Sequence, residues 1–369
     1  METRKIQKVG GGTFTVSLPK AWTSDHGFEA GMELRLYTHR DGSILIRSSE
    51  AEVEWLADAT VDLDGGDPDC DDLDAGDPDS GDPDCDDLDA GDPDSGDPEA
   101  AARAVRTAHT VGFETITLRR RGAFTEAERE AVRSTVRELV GTDILTESDA
   151  EIRIGHLLDT SSVSVRQSVT QLQYVVVSLL RDAAEAFGNA ADTQTRVRDR
   201  AAEARRSAEM ITRHFSRSLV SYAELDALGV SRSELFAYYG IATRLETVTE
   251  QAVRIATTGE ELPEPPAAEA AAAVRAVVDD VARAVDDAVT AVLNGELTTA
   301  QQARERAADA IEQIDAVEQR LYEESVSDSV PTAVALSTTL THLRRAANCS
   351  CGIADVAART AIRAENIDR

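Results

Sequence analysis

The sequence predicts an α+β multidomain chain: a small all-β module, then a small α/β unit, then an all-α part made of tandem three-helix bundles. Three patterns predict it. Residues 3–47 alternate apolar and polar positions in short runs broken by glycine and proline. Residues 66–95 are one acidic 15-residue unit written twice, and from residue 156 onward apolar residues recur at three- and four-residue spacing. At 369 residues the chain has room for two or three domains, each with its own core.

The β module spans 1–48. Its first strand covers 6–9, Gly10, Gly11 and Gly12 make a turn, and Phe14, Val16 and Leu18 alternate up to Pro19, which ends the second strand. Ala30-Gly31 precedes a further alternation at Leu34 and Leu36, and Asp41-Gly42 gives a hairpin signal before Ile44 and Ile46. A unit of fewer than about 50 residues buries too little apolar surface to stand alone, so a homodimer is expected.

The α/β unit comprises 49–64 and 99–155, interrupted by an insert at 65–98. A strand is expected over 53–63. In the insert, GDPDCDDLDAGDPDS occupies 66–80 and recurs at 81–95, and residues 62–97 hold 17 aspartates. With no aromatic residue the repeat cannot offset the entropy of ordering, so a disordered, extended tether is expected. Its alternating aspartates lack the glycine and terminal glutamate positions of a calcium-binding EF-hand loop. Beyond it the pattern gives a helix at 101–111 and a strand at 113–118. A second helix opens with the capping box Thr125-Glu126-Ala127-Glu128 and closes before Gly141, and strands follow near 143–147 and 151–155. Arg119, Arg120 and Arg121 read as an exposed basic turn.

The helical part divides into repeats at 156–262 and 267–369, separated by Leu262-Pro263-Glu264-Pro265-Pro266. Val165, Val169, Leu172, Val176, Leu179 and Ala183 form one seam. Val197, Ala201, Ala204, Ala208, Ile211 and Phe215 form a second, and Tyr238, Ile241, Leu245, Val248, Ala252 and Ile255 a third. The second repeat runs through Val274, Val292, Ala307, Leu321, Leu336 and Ala361.

The formal charge is −30, and of 38 basic residues only Lys5, Lys8 and Lys20 are lysines. Without the aspartates of 62–97 the charge is still about −13. Such a surface holds water and cations where salt screens ordinary electrostatics within a few ångströms, and the composition resembles that of halophilic proteins. No apolar run approaches the ~18 residues of a membrane span, so a soluble cytoplasmic protein is expected, not an integral membrane protein. Cys70 and Cys85 lie in the acidic repeat and Cys349 and Cys351 point to different sides of a helix, which leaves neither a disulfide framework nor a zinc spacing. The six histidines form no metal-binding pair.

Val9-Gly10-Gly11-Gly12-Thr13-Phe14-Thr15-Val16-Ser17-Leu18-Pro19-Lys20, followed by Ala30-Gly31-Met32-Glu33-Leu34, resembles the AbrB (SpoVT-type) domain. The resemblance implies a swapped-hairpin β-barrel dimer with a basic face laid on DNA. Charge supports the same role independently, since residues 1–47 carry seven basic and five acidic residues within a strongly acidic chain. Arg4, Lys5, Lys8 and Lys20 are the candidate DNA contacts.

Residues 156–369 resemble the PhoU family, which is built from two three-helix repeats. Landmarks are Val163-Ser164-Val165-Arg166-Gln167-Ser168, Arg213-His214-Phe215-x-Arg217-Ser218-Leu219, Glu250-Gln251-Ala252 and Ile353-Ala354-Asp355. No cofactor follows from the motifs themselves. In that family carboxylate pairs one helical turn apart bind clustered iron or zinc, and here Glu246 and Glu250 keep that spacing, with Glu203 on the facing helix. Arg205 stands where a further carboxylate belongs, and Arg344 and Asn348 occupy the second-repeat positions. These departures favour a solvated helix face over a metal centre.

The combination resembles a haloarchaeal type of transcriptional regulator of phosphate uptake, with DNA, a second copy of the chain and a phosphate ABC transporter or phosphate-signalling protein as partners. The competing expectations are a regulatory scaffold of a phosphate transporter that does not bind DNA, and a metal-binding helical bundle. No nucleophile-base pair, nucleotide-binding glycine loop or acid dyad can be assembled, so an enzyme is not expected.

Overall fold

A computed structural model describes residues 3–38, 44–48, 56–64, 96–188, 193–323 and 329–366. They belong to two compact units, Met1–Trp55 and Leu56–Arg369. The acidic repeat with Cys70 and Cys85, the Asp41-Gly42 turn and the beginning of the strand expected at 53–63 lie outside the described residues.

In the first unit β1 (Gln7–Val9) pairs antiparallel with β2 (Thr13–Thr15), placing Lys8 opposite Phe14. β3 (Leu34–Thr38) pairs with β4 (Ile44–Ser48), with Leu36 opposite Ile46. The two hairpins form separate two-stranded sheets within one chain. β2 is shorter than its alternation suggests, because Val16 and Leu18 fall beyond its last pair. Between the hairpins lies α1 (Lys20–Asp25), a helix that the strand-like reading of this stretch missed. Pro19, extended at φ −62° and ψ 127°, stands at its N-cap, and Gly27 at φ +69° follows it as a helix-ending glycine. Among the described residues of this unit only Tyr37 is buried. Ile6, Val9, Phe14, Val16, Leu36 and Ile44 are all more than half exposed.

The second unit starts with β5 (Asp58–Asp62), α2 (Pro98–Val111), β6 (Thr115–Arg119), α3 (Glu126–Glu138), β7 (Thr142–Glu147) and β8 (Glu151–His156). The strands order as β5-β6-β8-β7, with β5 parallel to β6 and the other pairs antiparallel. Asp97 caps α2 by accepting from the backbone N–H groups of Glu99 and Ala100 at 2.9 and 3.0 Å, with Pro98 at the first helical position. The capping box that opens α3 is formed: the Thr125 hydroxyl accepts from the Glu128 N–H at 3.2 Å, and the Glu128 carboxylate accepts from the Thr125 N–H at 2.8 Å. Ala101, Val105 and Ala108 of α2 and Val132 and Val136 of α3 cover Ile116, Leu118, Ile152 and Ile154 of the sheet. Arg120 does not belong to an exposed turn. Its side chain is 9% exposed and ion-pairs with Glu128 and Asp64, so Arg120 ties the sheet edge to α3 while Arg119 and Arg121 stay exposed.

The remainder is helical: α4 (Val165–Phe187), α5 (Thr193–Val220), short α6 (Tyr222–Leu228), α7 (Arg232–Glu260), α8 (Ala268–Asn294), α9 (Leu297–Glu323) and α10 (Val330–Asn366). α4, α5 and α7 pack on one another, as do α8, α9 and α10, which gives the expected two three-helix repeats. They do not keep separate cores. α4 packs on α8 and α7 on α10, and one continuous cluster runs through both repeats. The reason lies in α8, where Val274, Val278, Val281, Ala282, Val285 and Ala288 bury more than one face. Across that seam the Gln173 amide donates to the Asp286 carbonyl at 2.9 Å, the Asp286 carboxylate at 2.8 Å and the Thr290 hydroxyl at 2.9 Å. Among the described residues no helix is long and apolar enough to cross a membrane.

Candidate functional sites

Arg4, Lys5, Lys8 and Lys20 are all exposed. Arg4 and Lys5 precede β1, Lys8 is its middle residue and Lys20 opens α1. Cationic side chains on short strands and at a helix start can reach phosphate oxygens without burying their charge. The β1/β2 register puts Lys8 on the same face as exposed Phe14, so apolar and cationic surface adjoin on this hairpin.

Of the carboxylates singled out in the helical part, Glu246 and Glu250 stay neighbours on α7, while Glu203 takes a different partner. Glu203 on α5 accepts a hydrogen bond from Gln171 Nε2 at 3.0 Å. Glu246 on α7 is half-buried, and burial, followed by the neighbouring charges of Glu209 and Glu250, pushes its carboxyl above the usual range while Arg205 partly opposes the shift. The α5 carboxylate whose charge acts on Glu246 is therefore Glu209, which the sequence pattern does not mark. Arg344 binds Asp315 at 2.6 Å and Glu318 at 2.7 Å, both on α9. Among the described residues no three His, Cys, Asp or Glu side chains converge as a metal ion requires. With Arg205 adding positive charge beside Glu246, this donor set does not suit iron or zinc.

Comparison with protein-family models finds no match, and comparison with curated proteins finds none. Among solved structures the chain is similar to the crystal structure of PhoU from Pseudomonas aeruginosa. The two are 16% identical, the match covers 53% of this chain and 94% of that one, and the TM-score is 0.46.

A third group of polar residues joins the sheet layer to the helices, and the sequence shows it only as the landmark around Arg213, His214 and Arg217. Arg213 on α5 is 1% exposed and donates to the backbone carbonyls of His109 at 2.6 Å and Phe113 at 2.9 Å, at the end of α2. Arg217, one turn later, donates to the Gly112 carbonyl at 2.7 Å and to Glu114 at 3.1 Å. Gly112 ends α2 at φ +114°, and a Cβ there would collide with the Arg217 side chain. Glu224 on α6, 3% exposed, receives Arg217 Nε at 2.9 Å and faces His214 Nδ1 at 2.6 Å. Burial raises the Glu224 carboxyl, but the bonds to His214 and Arg217 outweigh it and leave it below the ordinary glutamate value.

Beside Arg213 lie His109, 2% exposed, and His156, with ring centroids 5.7 Å apart. Burial, then the charge of Arg213, holds His109 down to about 3 and His156 to about 4. Neither ring nitrogen of His109 has a hydrogen-bond partner among the described residues. His109 and Arg213 are buried inside the joint between α2, β8 and α5, with half-buried His156 beside them, so they serve the union of the two layers.

Proposed function

We propose that this chain is a homodimeric DNA-binding transcriptional regulator of phosphate homeostasis, in which the N-terminal unit contacts DNA and the helical part receives the phosphate-status signal. One observation carries the DNA-binding half: every lysine of a chain with net charge −30 lies exposed in the first 20 residues, in a unit whose apolar side chains are themselves exposed. A cationic module in an acidic chain suits phosphate contact, because acidic surfaces elsewhere keep the molecule off DNA and leave one face to bind it. The exposed Ile6, Phe14, Leu36 and Ile44 call for a covering partner, and a second copy supplies the same apolar surface. Assignment to phosphate control is supported by the resemblance of residues 156–369 to the PhoU family and by their tandem three-helix architecture.

The test is a gel-shift assay on the chain's own upstream region, with wild type and the Lys5→Ala/Lys8→Ala/Lys20→Ala variant. Specific binding by wild type and its loss in the variant, with the oligomeric state unchanged, are expected. A variant that shifts the fragment like wild type removes the DNA contact from these lysines. Chromatin immunoprecipitation in phosphate-rich and phosphate-starved cells then checks whether occupancy follows phosphate.

A further inference from the structure

α5 inverts the charge of the molecule. Thr193–Val220 holds seven arginines against Asp199, Glu203 and Glu209, in a chain where acidic residues outnumber basic ones 68 to 38. Most of these arginines have structural work. Arg196 and Arg200 pair with Asp182, and Arg213 and Arg217 hold the end of α2. Arg198 reaches Glu260 at 3.5 Å from an exposed position. That leaves Arg205 and Arg206, which make no hydrogen bond or ion pair with another described residue.

Both line one cleft between α5 and the α2/α3 layer. Its volume is about 220 Å³, and Arg106, Arg198, Glu138 and Glu209 complete its charged lining. Arg106 is committed to both glutamates, donating through Nη1 to Glu209 at 2.9 Å and through Nη2 to Glu138. One arginine thus bridges both acids of the cleft, whose lining holds four arginines against two glutamates, and the Arg205 and Arg206 guanidinium groups keep their hydrogen-bond donors free of other described residues. Burial pushes the Glu209 carboxyl above its usual range, opposed by Arg106 and then by the charge of Arg205.

We propose that this cleft binds a small phosphate-type oxyanion, inorganic phosphate or a phosphate monoester, through Arg205 and Arg206. The chemistry decides the class. A guanidinium presents a planar fork of donors that grips two oxygens at once. Two forks on one cleft need at least three acceptor oxygens and about two negative charges, which a tetrahedral phosphate provides and a single carboxylate does not. Size excludes a polymer. At ~30 Å³ per water the cleft holds roughly seven waters, enough for a phosphate group and a short ester but not for a nucleic-acid strand. A metal ion is disfavoured by the unpaired arginines.

The phosphate site draws on residues outside the N-terminal unit, and its test uses no DNA, so its failure leaves the gel-shift result standing. The full chain is titrated calorimetrically at pH 7 with potassium phosphate and separately with glycerol 3-phosphate, ionic strength being matched by KCl. Wild type is expected to bind one or both saturably. Arg205→Gln/Arg206→Gln should weaken binding at least tenfold, and Arg205→Lys/Arg206→Lys, which keeps the charge and loses the fork, should fall between. Arg359→Gln/Arg363→Gln, exposed on α10 and equal in charge change, should match wild type within twofold. Preference for inorganic phosphate identifies a free-ion site, and preference for the ester identifies a phosphorylated metabolite. Absence of binding at millimolar concentration of either ligand overturns the site, as does equal weakening in the two glutamine pairs or binding that survives Arg205→Gln/Arg206→Gln.

Discussion

His109 makes the joint between the sheet layer and the helices sensitive to acid in a measurable way. It is 2% exposed, and burial beside Arg213 keeps its imidazole neutral down to about pH 3 in the folded chain. In the unfolded chain the same ring protonates near pH 6.5. The folded value is therefore the depressed one, so as pH falls through ~6.5 the unfolded state takes up a proton that the folded state refuses. Stability is unaffected by this group above ~6.5, declines as pH drops below it, and levels off only below about 3. Between pH 7 and pH 5 the linkage relation gives a loss of about 2 kcal/mol from this single group. His109→Leu removes the titration along with two ring nitrogens that lack partners. Its stability at pH 7 is expected to lie within about 1 kcal/mol of wild type, because relief of buried unpaired polar atoms offsets imperfect packing. The assay is urea unfolding followed by helical circular dichroism at pH 7, 6 and 5 and constant KCl, for both proteins. The difference between them isolates His109, since Glu224 and the other acids are common to both. A wild type and a variant that lose stability equally over this range would show that His109 titrates freely in the fold, and would refute the sealed-joint description.

Three further outcomes are expected. Glu224→Gln leaves Arg217 and His214 facing a weaker acceptor inside the joint, and breaking such a buried pair costs about 3–5 kcal/mol at pH 7, read as a lower urea midpoint. Because the folded Glu224 carboxyl is depressed, its contribution is present above its unfolded value of ~4.3 and disappears as pH falls through the lower folded value, so variant and wild type converge in strong acid. Gly259→Ala on α7 places a Cβ 2.5 Å from the Phe187 Cα and 3.2 Å from its carbonyl, backbone that cannot swing aside. The clash outweighs the ~1 kcal/mol gained in helix propensity and leaves a net loss of about 1–2 kcal/mol, visible in thermal unfolding. Phe14→Ser, which removes an exposed aromatic from the β1/β2 hairpin, should weaken self-association by at least tenfold in sedimentation equilibrium, as roughly 2 kcal/mol of interfacial burial is lost.

The helices were legible because their signals are local. The seams of α4, α5 and α7 were readable from spacing, and apart from half-buried Phe215 their residues are buried as expected. The Thr125 capping box marked the start of α3 because both of its hydrogen bonds join residues three apart. α1 was missed for a related reason: six residues carry too short a period to register, and only Pro19 before it and Gly27 after it signal a helix. The basic N-terminus was equally plain, since the position of three lysines in an acidic chain requires no structure to see.

Sequence alone thus determined the long helices, their tandem arrangement and the segregation of charge, all properties of neighbours along the chain. Tertiary structure decided which charges are used. Arg120 looked like a solvent-facing cation until the fold set it against Glu128 and Asp64. Arg213 became a buried clamp on carbonyls about a hundred residues away, Glu209 replaced Glu203 as the carboxylate beside Glu246, and α4 and α7 fused the two repeats through α8 and α10. Arg205 and Arg206 look like any other arginines of α5 in the sequence. They stand apart only because α2 and α3 border the cleft they line and bring Arg106 to the nearby acids. Electrostatic energy depends on distance and burial in space, and neither is encoded in the spacing of residues along a helix.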